Sequence, residues 1–373
     1  MRIFYYHPEK DNNMSRWQRL HFIDELARHN VRIDTFNPLL CTSWDEANEV
    51  ALRKLKEGNY DVFLSWVNRK DVLYIDTLQE IRRIGIPSLF LRFDNLVIPL
   101  YDKELAPYYD LIWLTSKETK HFYDRWGVKS CFAPYAANPY VFHYDEKNII
   151  HRACFIGTPY GSRSKMINTI AKAGVEFTLY YGDNSEKSFN KRRTHFQTNL
   201  EIPTTTKLES VLTRLKFREG RKLLFGLLVN RIEGNHTIYD GSNILREPSV
   251  ELEELSGLYS QYALSLASTS AHHTDVLKHP LKIINLRNFE IPMSGGVEIC
   301  RFNLELADYY EEDKEIIFYR DNEELVDKAI YYTKKAKDKE LLSIKRAARK
   351  RSEGEHTWYH RFKNVLNELN KPI

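Results

Sequence analysis

The chain has 373 residues, which is enough for two or three domains of ordinary size. Lysine plus arginine number 55 and aspartate plus glutamate 51, so the formal net charge is +4, and 42% of the residues are hydrophobic. These values exclude an intrinsically disordered chain, a collagen-like fibre and a dedicated polyanion binder, and we expect no nucleic-acid partner. The aromatic share of 13%, with 23 tyrosines, fits either large internal surfaces or clefts that grip flat polar ligands.

Neither a targeting segment nor a disulfide framework is expected. The amino terminus, MRIFYYHPEK, turns polar within a few residues, and the longest apolar run, at 223–229, is far shorter than the roughly 20 residues that cross a bilayer. The cysteines are scattered and form no CxxC pair: Cys41, Cys131, Cys154 and Cys300. The sequence therefore favours a protein of the reducing cytoplasm.

The first part of the chain alternates short apolar runs with segments of helical period. Strands are predicted at 2–6, 31–36, 60–66, 86–93, 110–115 and 128–133, and helices at 15–30, 44–56, 71–84 and 117–126. Such alternation, every twenty to thirty residues or so, is typical of βαβ units on a parallel sheet. The sequence predicts a doubly wound α/β domain that ends near residue 140.

A second α/β domain follows the first. Strands are predicted at 152–156, 176–181, 263–267, 297–300 and 315–319, and helices at 163–173, 250–259, 281–293 and over most of 322–373, around an irregular middle. Two similarly built lobes in tandem predict a cleft between them. Ligands are expected at the carboxyl ends of the strands.

The segment FIGTPYGSR, residues 155–163, is a strand followed by a glycine-bearing turn and a helix start. It matches neither GxGxxG nor GxxxxGK[ST], which excludes the usual dinucleotide and P-loop sites. Backbone amides from Gly157 onward, the helix dipole and the side chain of Arg163 can together hold a phosphate. The same pattern also suits an ordinary βα turn.

A second segment, LRNFEIPMSGG at 286–296, places a glutamate on a helix before a turn of small residues. The carboxylate of Glu290 could accept hydrogen bonds from two vicinal ribose hydroxyls, and Arg287 could pair with a diphosphate. The alternative is a glycine cap at the carboxyl end of the helix, with Glu290 in a surface ion pair.

Two further features have more than one reading. The cluster of His272, His273, Asp275 and His279 could bind a metal, contact a donor phosphate or sugar, or form a plain surface loop. The segment 207–232 has a net charge of +5 and an apolar helical face, so it could dock on anionic lipid or pack as an insertion on the second lobe.

Several motifs together resemble GT-B glycosyltransferases, most closely the group typified by the spore-maturation CgeB-like proteins. The resemblance covers roughly residues 110–369 and rests on motifs that occur in the order found in that group: APYAANPYVFH, FIGTPYGSR, ELSGLYSQYALSL, LRNFEIPMSGG, EIIFYRDNEELVDKAIYY and HTWYHRFKNVL. It implies two tandem Rossmann-like doubly wound domains with a carboxyl-terminal helix that crosses back to the first.

The resemblance also implies domain boundaries and donor contacts. Residues 1–145 would be the acceptor domain, 146–355 the nucleotide-sugar donor domain with a basic insertion near 200–235, and 356–373 the returning helix. Glu290 corresponds to the glutamate that binds the donor ribose, and Arg163 to the basic residue that faces the diphosphate. Gly157, His273, Arg287 and the turn of Ser294, Gly295 and Gly296 complete the expected donor site.

The resemblance leaves the stereochemistry open. Many retaining members carry a glutamate eight positions before the ribose glutamate, where this chain has Lys282. A base that deprotonates the acceptor should come from the first lobe. The candidates lie after predicted strands: Asp94, whose alternative role is an Asx-type turn with Asn95, and His7, whose alternative is a structural contact before Pro8.

The sequence thus predicts a glycosyltransferase that moves a sugar from a nucleotide-sugar donor to a glycan, lipid-linked or protein acceptor. Neither a metal nor another cofactor is expected, because cationic side chains and helix amino termini can stabilise the leaving diphosphate. The expected location is the cytoplasm, with peripheral contact to an anionic membrane as an option. The alternatives are a non-catalytic nucleotide-sugar-binding relative and a nucleotide-sugar epimerase.

Overall fold

A computed structural model describes residues 1–146, 148–182, 198–234 and 237–373. Within these residues the chain forms two compact units. The first comprises Met1–Pro134, the described part of 194–221 and Trp358–Ile373; the second comprises the described parts of 135–193 and 222–357.

The first unit is built on a sheet of six parallel strands in the order β2-β1-β3-β4-β5-β6. The strands are β1 (Arg2–Tyr6), β2 (Arg32–Phe36), β3 (Val62–Ser65), β4 (Ser88–Arg92), β5 (Leu111–Leu114) and β6 (Ser130–Phe132). The intervening helices are α1 (Asn13–Gln18), α2 (Asp24–Arg28), α3 (Trp44–Glu57), α4 (Ile75–Arg83) and α5 (Lys120–Arg125), with a π-helical turn at Arg19–Ile23. Because helices cover a parallel sheet on both faces, its central strands, such as Leu111–Leu114, are buried throughout.

The second unit also has six parallel strands, in the order β12-β11-β10-β7-β8-β9. They are β7 (Ile150–Ile156), β8 (Phe177–Tyr180), β9 (Ile244–Glu247), β10 (Tyr262–Leu266), β11 (Glu298–Arg301) and β12 (Ile317–Tyr319). The later helices of the chain are α6 (Ser162–Lys172), α7 (Lys207–Leu215), α8 (Arg218–Ile232), α9 (Leu255–Gln261), α10 (Arg287–Met293), α11 (Leu304–Ala307), α12 (Asn322–Ile330), α13 (Asp338–Glu355) and α14 (Trp358–Glu368).

The predicted α/β architecture of two doubly wound sheets is confirmed, but one predicted helix is too long. Only the second half of the predicted helix at 281–293 is helical. Lys282 instead forms an antiparallel bridge with Ser270, and the amide of Ile283 donates to the carbonyl of Thr269 at 3.0 Å. The backbone of residues 281–283 thus forms its hydrogen bonds with the loop that follows β10 and not within a helix. Strand β9, within the segment taken as irregular, was not predicted.

The carboxyl-terminal helix α14 belongs to the first unit. Its first residue, Trp358, is completely buried, and its indole N–H donates to Nδ1 of His21 at 2.9 Å. The backbone amides of Trp358 and Tyr359 donate to the carboxylate of Glu25, at 3.2 and 2.8 Å. Glu25 therefore caps the amino terminus of α14 across more than 330 residues of sequence.

The basic segment divides between the two units, whereas the sequence analysis assigned all of it to the second. Helix α7 and the start of α8, up to Arg221, lie in the first unit, where Phe217 packs edge-on against Phe122 with ring centroids 5.7 Å apart. The remainder of α8 lies in the second unit. Residue 235, at the end of the predicted insertion, lies outside the described residues.

Helix α7 presents its apolar face outward. Its exposed fractions are 68%, 39%, 51% and 49% for Leu208, Val211, Leu212 and Leu215, which recur at helical spacing along one side. An amphipathic helix of a soluble domain usually buries this face. In the described ranges, no helix is long and apolar enough to cross a membrane.

Candidate functional site

The strand order of the second unit defines where a ligand is expected. From β7 the chain winds outward through β8 and β9, and then returns to the other side of β7 to form β10, β11 and β12. The order reverses between β7 and β10, and in open α/β sheets the crevice outside the carboxyl ends of such a pair binds ligands. The turn after β7 begins at Gly157, and the loop after β10 contains His272 and His273.

The turn after β7 needs glycine at two positions. Gly157 has φ +126°, and a Cβ atom there would lie 2.3 Å from Nη2 of Arg287. Gly161 has φ +60°, and a Cβ atom there would lie 2.5 Å from the carbonyl oxygen of His272. The two glycines thus let the backbone bend into α6 while Arg287 and the loop after β10 approach it closely.

Two guanidinium groups meet at this turn. Arg287 donates through Nε to the carbonyl oxygen of Ile156 at 3.0 Å, and the guanidiniums of Arg163 and Arg287 lie 5.9 and 5.7 Å from the ring centre of Phe155. Arg163 also stacks on Tyr160 at 4.4 Å and donates to the carbonyl of Thr158 at 3.2 Å.

Burial, and then the positive charge of Arg287, lower the pKa of Arg163 to about 10. Within the described part of the chain, neither guanidinium forms a salt bridge with a carboxylate. Two neighbouring cations without such a counterion, beside the amino terminus of a helix, form a suitable site for a dianion such as a diphosphate.

Helix α10 places a carboxylate on the same side as Arg287. Glu290 lies three residues after Arg287 and so shares its face of the helix, and its exposed fraction is only 3%. Because the side chain is buried, Glu290 does not form the surface ion pair that was the alternative interpretation of the sequence. Arg287 and Glu290 thus combine a phosphate-binding cation and a hydrogen-bond acceptor for hydroxyls on one helix face.

Ser294, Gly295 and Gly296 end α10 and are buried. The hydroxyl of Ser294 donates to the carbonyl of Glu290 at 2.7 Å, and Gly295 has φ +66° with a close approach to the ring of Tyr144. The amide of Gly296 donates to the carbonyl of Ile291 at 2.8 Å. Through these bonds the three residues form a carboxyl-terminal cap of α10, as the alternative interpretation of the sequence expected. A contact of these residues with the donor stays a prediction.

A buried tyrosine, not expected from the sequence pattern as part of the site, lies close enough to Arg287 and Glu290 for their charges to act on it. Tyr259, on α9, is 1% exposed. Burial is the main cause that raises the pKa of its phenol; the positive charge of Arg287 opposes the rise and the negative charge of Glu290 adds to it. The periodicity of ELSGLYSQ predicts a buried face but does not reveal which buried residue meets the site.

The histidine cluster forms a loop packed on α8. Nδ1 of His273 lies 3.1 Å from Nδ2 of Asn230, and burial lowers the pKa of the imidazole. The carbonyl of His279 accepts a hydrogen bond from Lys222 at 3.0 Å, and Asp275 lies in a short 3₁₀ turn, Thr274–Val276. Across the residues that the structure describes, no three His, Cys, Asp or Glu side chains are grouped so that they could hold a metal ion.

In the first unit, His7 follows β1, next to the position where the strand order reverses between β1 and β3. It is completely buried and stacks on Tyr5, and the indole N–H of Trp66 donates to its Nδ1 at 2.9 Å. Burial lowers the pKa of His7 to about 4. The neutral ring therefore carries its proton on Nε2 and offers no free nitrogen to take another, which disfavours it as a base.

Asp94 follows β4 and is exposed, with a left-handed backbone at φ +51°. The neighbouring Asn95 holds the turn: its Oδ1 accepts from the amides of Thr115 and Ser116 at 3.0 and 2.9 Å, and its Nδ2 donates to Thr119 at 2.8 Å. The side chain of Asn95 thus fixes the turn to the end of β5 and leaves the Asp94 carboxylate at the carboxyl edge of the sheet.

Known proteins share both the sequence pattern and the fold. Residues 212–367 match a family described as glycosyl transferase-like. A search of curated proteins gave no significant match. Among solved structures, sucrose-phosphate synthase from Thermosynechococcus elongatus is 12% identical, with a TM-score of 0.54 over 99% of this chain and 98% of that chain.

Anabaena Alr3699/HepE is similar as well. Its complex with UDP-glucose is 8% identical with a TM-score of 0.57, and its complex with UDP and glucose is 8% identical with a TM-score of 0.58; each comparison covers 99% of both chains. At these identities the likeness establishes the fold, which is the two-lobed GT-B type. Together with the match over 212–367, it confirms the predicted class: the chain is a GT-B glycosyltransferase.

Proposed function

We propose that this glycosyltransferase binds a nucleotide-sugar donor at the carboxyl edge of the second unit's sheet and a glycan or glycoconjugate acceptor on the first unit. The observation that carries the donor assignment is the meeting of Arg163 and Arg287 at the Gly157 turn, with Glu290 on the face of α10 that bears Arg287. A diphosphate would neutralise the two guanidiniums, and Glu290 would accept hydrogen bonds from the ribose hydroxyls. The UDP-glucose bound by Anabaena Alr3699/HepE supports this class of donor.

During transfer, the bond between the anomeric carbon and the diphosphate oxygen breaks, and a bond to the acceptor oxygen forms. The electron pair of the broken bond stays on the diphosphate, where Arg163, Arg287 and the amino terminus of α6 stabilise the charge without a metal. The proton of the acceptor hydroxyl passes to a base. We assign that role to Asp94 rather than His7, because Asp94 is exposed at the sheet edge whereas His7 is buried with Nδ1 occupied.

We further place the chain in the CgeB-like group of GT-B enzymes, on the strength of the ordered motifs between residues 133 and 366. A cytoplasmic enzyme that builds glycans is the context this group implies. The donor contacts of His273 and of the Ser294–Gly296 turn are part of the same proposal.

Donor binding and turnover test the proposal separately. The chain is titrated with UDP-, GDP- and dTDP-sugars in a thermal-shift assay, and release of the nucleoside diphosphate is then measured with a panel of acceptors. We expect stabilisation by one nucleotide class and acceptor-dependent release. Binding without turnover would support the non-catalytic relative, and an isomerised sugar without acceptor would support the epimerase.

Glu290→Gln tests the site itself. Because an amide binds two ribose hydroxyls less strongly than a carboxylate, we expect donor affinity to fall about tenfold. Glu176→Gln is the matched control, since Glu176 directly precedes β8 at the opposite edge of the same sheet, in an exposed pair with Arg152. Unchanged donor affinity in Glu290→Gln would remove the ribose role.

We also propose that α7 docks the enzyme on an anionic membrane surface, where lipid-linked acceptors reside. Four apolar side chains face outward on this helix, and basic residues flank them: Lys207, Arg214, Lys216, Arg218 and Arg221. Apolar insertion and attraction to anionic headgroups act together in such helices.

Co-sedimentation with vesicles tests the docking. We expect binding to vesicles that contain phosphatidylglycerol, weaker binding to pure phosphatidylcholine, and loss of binding in the double variant Leu208→Ser/Leu212→Ser. Leu304→Ser is the control, because Leu304 is equally exposed, at 66%, but lies on α11, outside the basic segment of the sequence. Equal binding by the double variant and the control would refute the docking role.

A further inference from the structure

A carboxylic acid is buried on β11, the strand next to the edge strand β12 of the second unit's sheet. Glu298 is the first residue of β11, its exposed fraction is zero, and its register partner on β10 is Ser265. Burial raises the pKa of Glu298 to about 8, so the group is largely protonated and neutral at pH 7. Burying a polar group costs free energy unless it is hydrogen-bonded, so its partners indicate what it does.

Besides Cys300 on its own strand, Glu298 has a partner on the helix that carries the candidate donor residues. Nδ2 of Asn288, on α10, donates to Oε1 of Glu298 at 2.5 Å. Oδ1 of Asn288 accepts from the backbone amide of Asn285 at 2.7 Å, and Nδ2 of Asn285 donates to the carbonyl of Ser268 after β10 at 2.5 Å. A continuous chain of hydrogen bonds thus joins β11, the amino-terminal end of α10 and the loop after β10.

Asn288 lies directly between the two donor candidates in sequence, since Arg287 precedes it and Glu290 follows two positions later. Successive residues of a helix point about 100° apart, so Asn288 is directed away from the face shared by Arg287 and Glu290. At its other end, α10 is held by Arg349 of α13, which donates to the carbonyl of Met293. The bond to Glu298 is a corresponding anchor near the amino-terminal end.

We infer that Glu298 is a positioning residue that fixes the rotation of α10, and with it the directions of Arg287 and Glu290, for donor binding. The inference rests on the proposed function. Cα atoms lie about 2.3 Å from a helix axis, so a rotation of about 25° moves each Cα atom by about 1 Å and the side-chain tips by more. Displacements of this size at a site can cost on the order of 100-fold in rate or affinity.

The test compares three variants by the dissociation constant for the donor nucleoside diphosphate, by the donor KM and kcat, and by Tm. Glu298→Leu removes the acceptor of the Asn288 bond, and we expect the dissociation constant and KM to rise about tenfold, with kcat at saturating donor within about twofold. Glu298→Gln keeps an oxygen acceptor and mimics the neutral acid, so it should retain wild-type affinity. Ile299→Ala is the control, because Ile299 is equally buried on β11 but its side chain points to the opposite face of the sheet from Glu298, into the apolar core.

A purely structural role predicts a different pattern. In that case Tm and donor affinity would fall together, and Ile299→Ala would behave like Glu298→Leu. Wild-type affinity in Glu298→Leu would equally overturn the inference. If Glu298→Leu does not fold, Asn288→Ala breaks the same bond from the helix side, and we expect the same rise in the dissociation constant.

The same measurements distinguish a wrong role for Glu298 from a wrong proposed function. If the wild-type chain binds no nucleoside diphosphate, or if Arg287→Ala binds it normally, the donor site itself is wrong. If Arg287→Ala no longer binds the nucleoside diphosphate while Glu298→Leu binds it normally, only the positioning role of Glu298 is wrong.

Discussion

Replacement of Gly157 by alanine perturbs the candidate donor site at a defined atom. Gly157 has φ +126°, a conformation that costs a residue with a side chain about 1–3 kcal/mol. The new Cβ atom would lie 2.3 Å from Nη2 of Arg287, so the guanidinium must move by at least about 1 Å to reach an ordinary contact distance. That movement also disturbs the hydrogen bond from Arg287 to the carbonyl of Ile156.

We therefore expect Gly157→Ala to lower the free energy of unfolding by about 1–3 kcal/mol, which corresponds to a fall in Tm of roughly 2–10 °C. Donor affinity should fall about tenfold or more, because the displaced guanidinium no longer faces the diphosphate, and tenfold equals about 1.4 kcal/mol. Urea denaturation measures the first quantity and isothermal titration calorimetry with the nucleoside diphosphate measures the second.

Gly174→Ala separates backbone strain from the contact with Arg287. Gly174 has φ +76° in the same unit, but a Cβ atom there would meet no other atom within 4 Å. The Gly174→Ala variant should have a free energy of unfolding about 1–2 kcal/mol lower than that of the wild type, with unchanged donor affinity. In an Arg287→Ala background, Gly157→Ala should cause no further loss of affinity, because the atom that it displaces is absent. Wild-type affinity in Gly157→Ala, or an equal loss in Gly174→Ala, would refute the reasoning.

Three further outcomes follow from the structure. Asp94→Asn should lower kcat about 10²–10⁴-fold and leave the donor dissociation constant unchanged, and normal turnover would move the base elsewhere. Burial lowers the pKa of Lys345 to about 8, whereas its ordinary value is 10.5. Between these two pH values the unfolded chain holds a proton on Lys345 that the folded chain has released. The free energy of unfolding of the wild type, relative to that of Lys345→Met, should therefore rise by roughly 1.4 kcal/mol per pH unit. A difference that stays constant from pH 8 to 10 would contradict this. Trp358→Ala should lower the free energy of unfolding, measured with urea, by about 3–5 kcal/mol, because the completely buried indole packs against Trp113 in the first unit. A loss below about 1 kcal/mol would mean that α14 is not essential to the core of that unit.

The sequence was sufficient to predict the alternation of strands and helices, because hydrophobic periodicity is a local property. Strand β1 was predicted with its exact bounds, and the glutamate on a helix before the small-residue turn was predicted correctly. The helix at 281–293 was predicted too long, since the apolar residues Leu281, Ile283 and Ile284 recur as they would in a helix. In the structure these residues are buried, and the backbone of 281–283 pairs with the loop after β10 instead.

Periodicity also misjudged the surroundings of some side chains. The apolar face of α7 has the pattern of a buried face, but the structure exposes it, because burial depends on whether another element covers the helix. His7 and Asp94 both follow strands and were both candidates for the base, with Asp94 preferred. Only the structure shows that one is buried with Nδ1 bonded to Trp66, while the other is exposed.

By itself, then, the sequence determined the fold class and the two-lobed organisation, because these depend on local patterns. It also supplied the candidate residues for a nucleotide-sugar site, whose role stays a prediction. The tertiary structure decided which of those residues meet: Arg163 lies near Arg287 although more than 120 positions separate them, and Tyr259 lies within reach of the charge of Arg287. It also decided that Glu298 accepts a hydrogen bond from Asn288, on the helix that carries Arg287. Contacts between residues far apart in sequence depend on how strands and helices pack, and a local pattern of hydrophobicity carries no information about that packing.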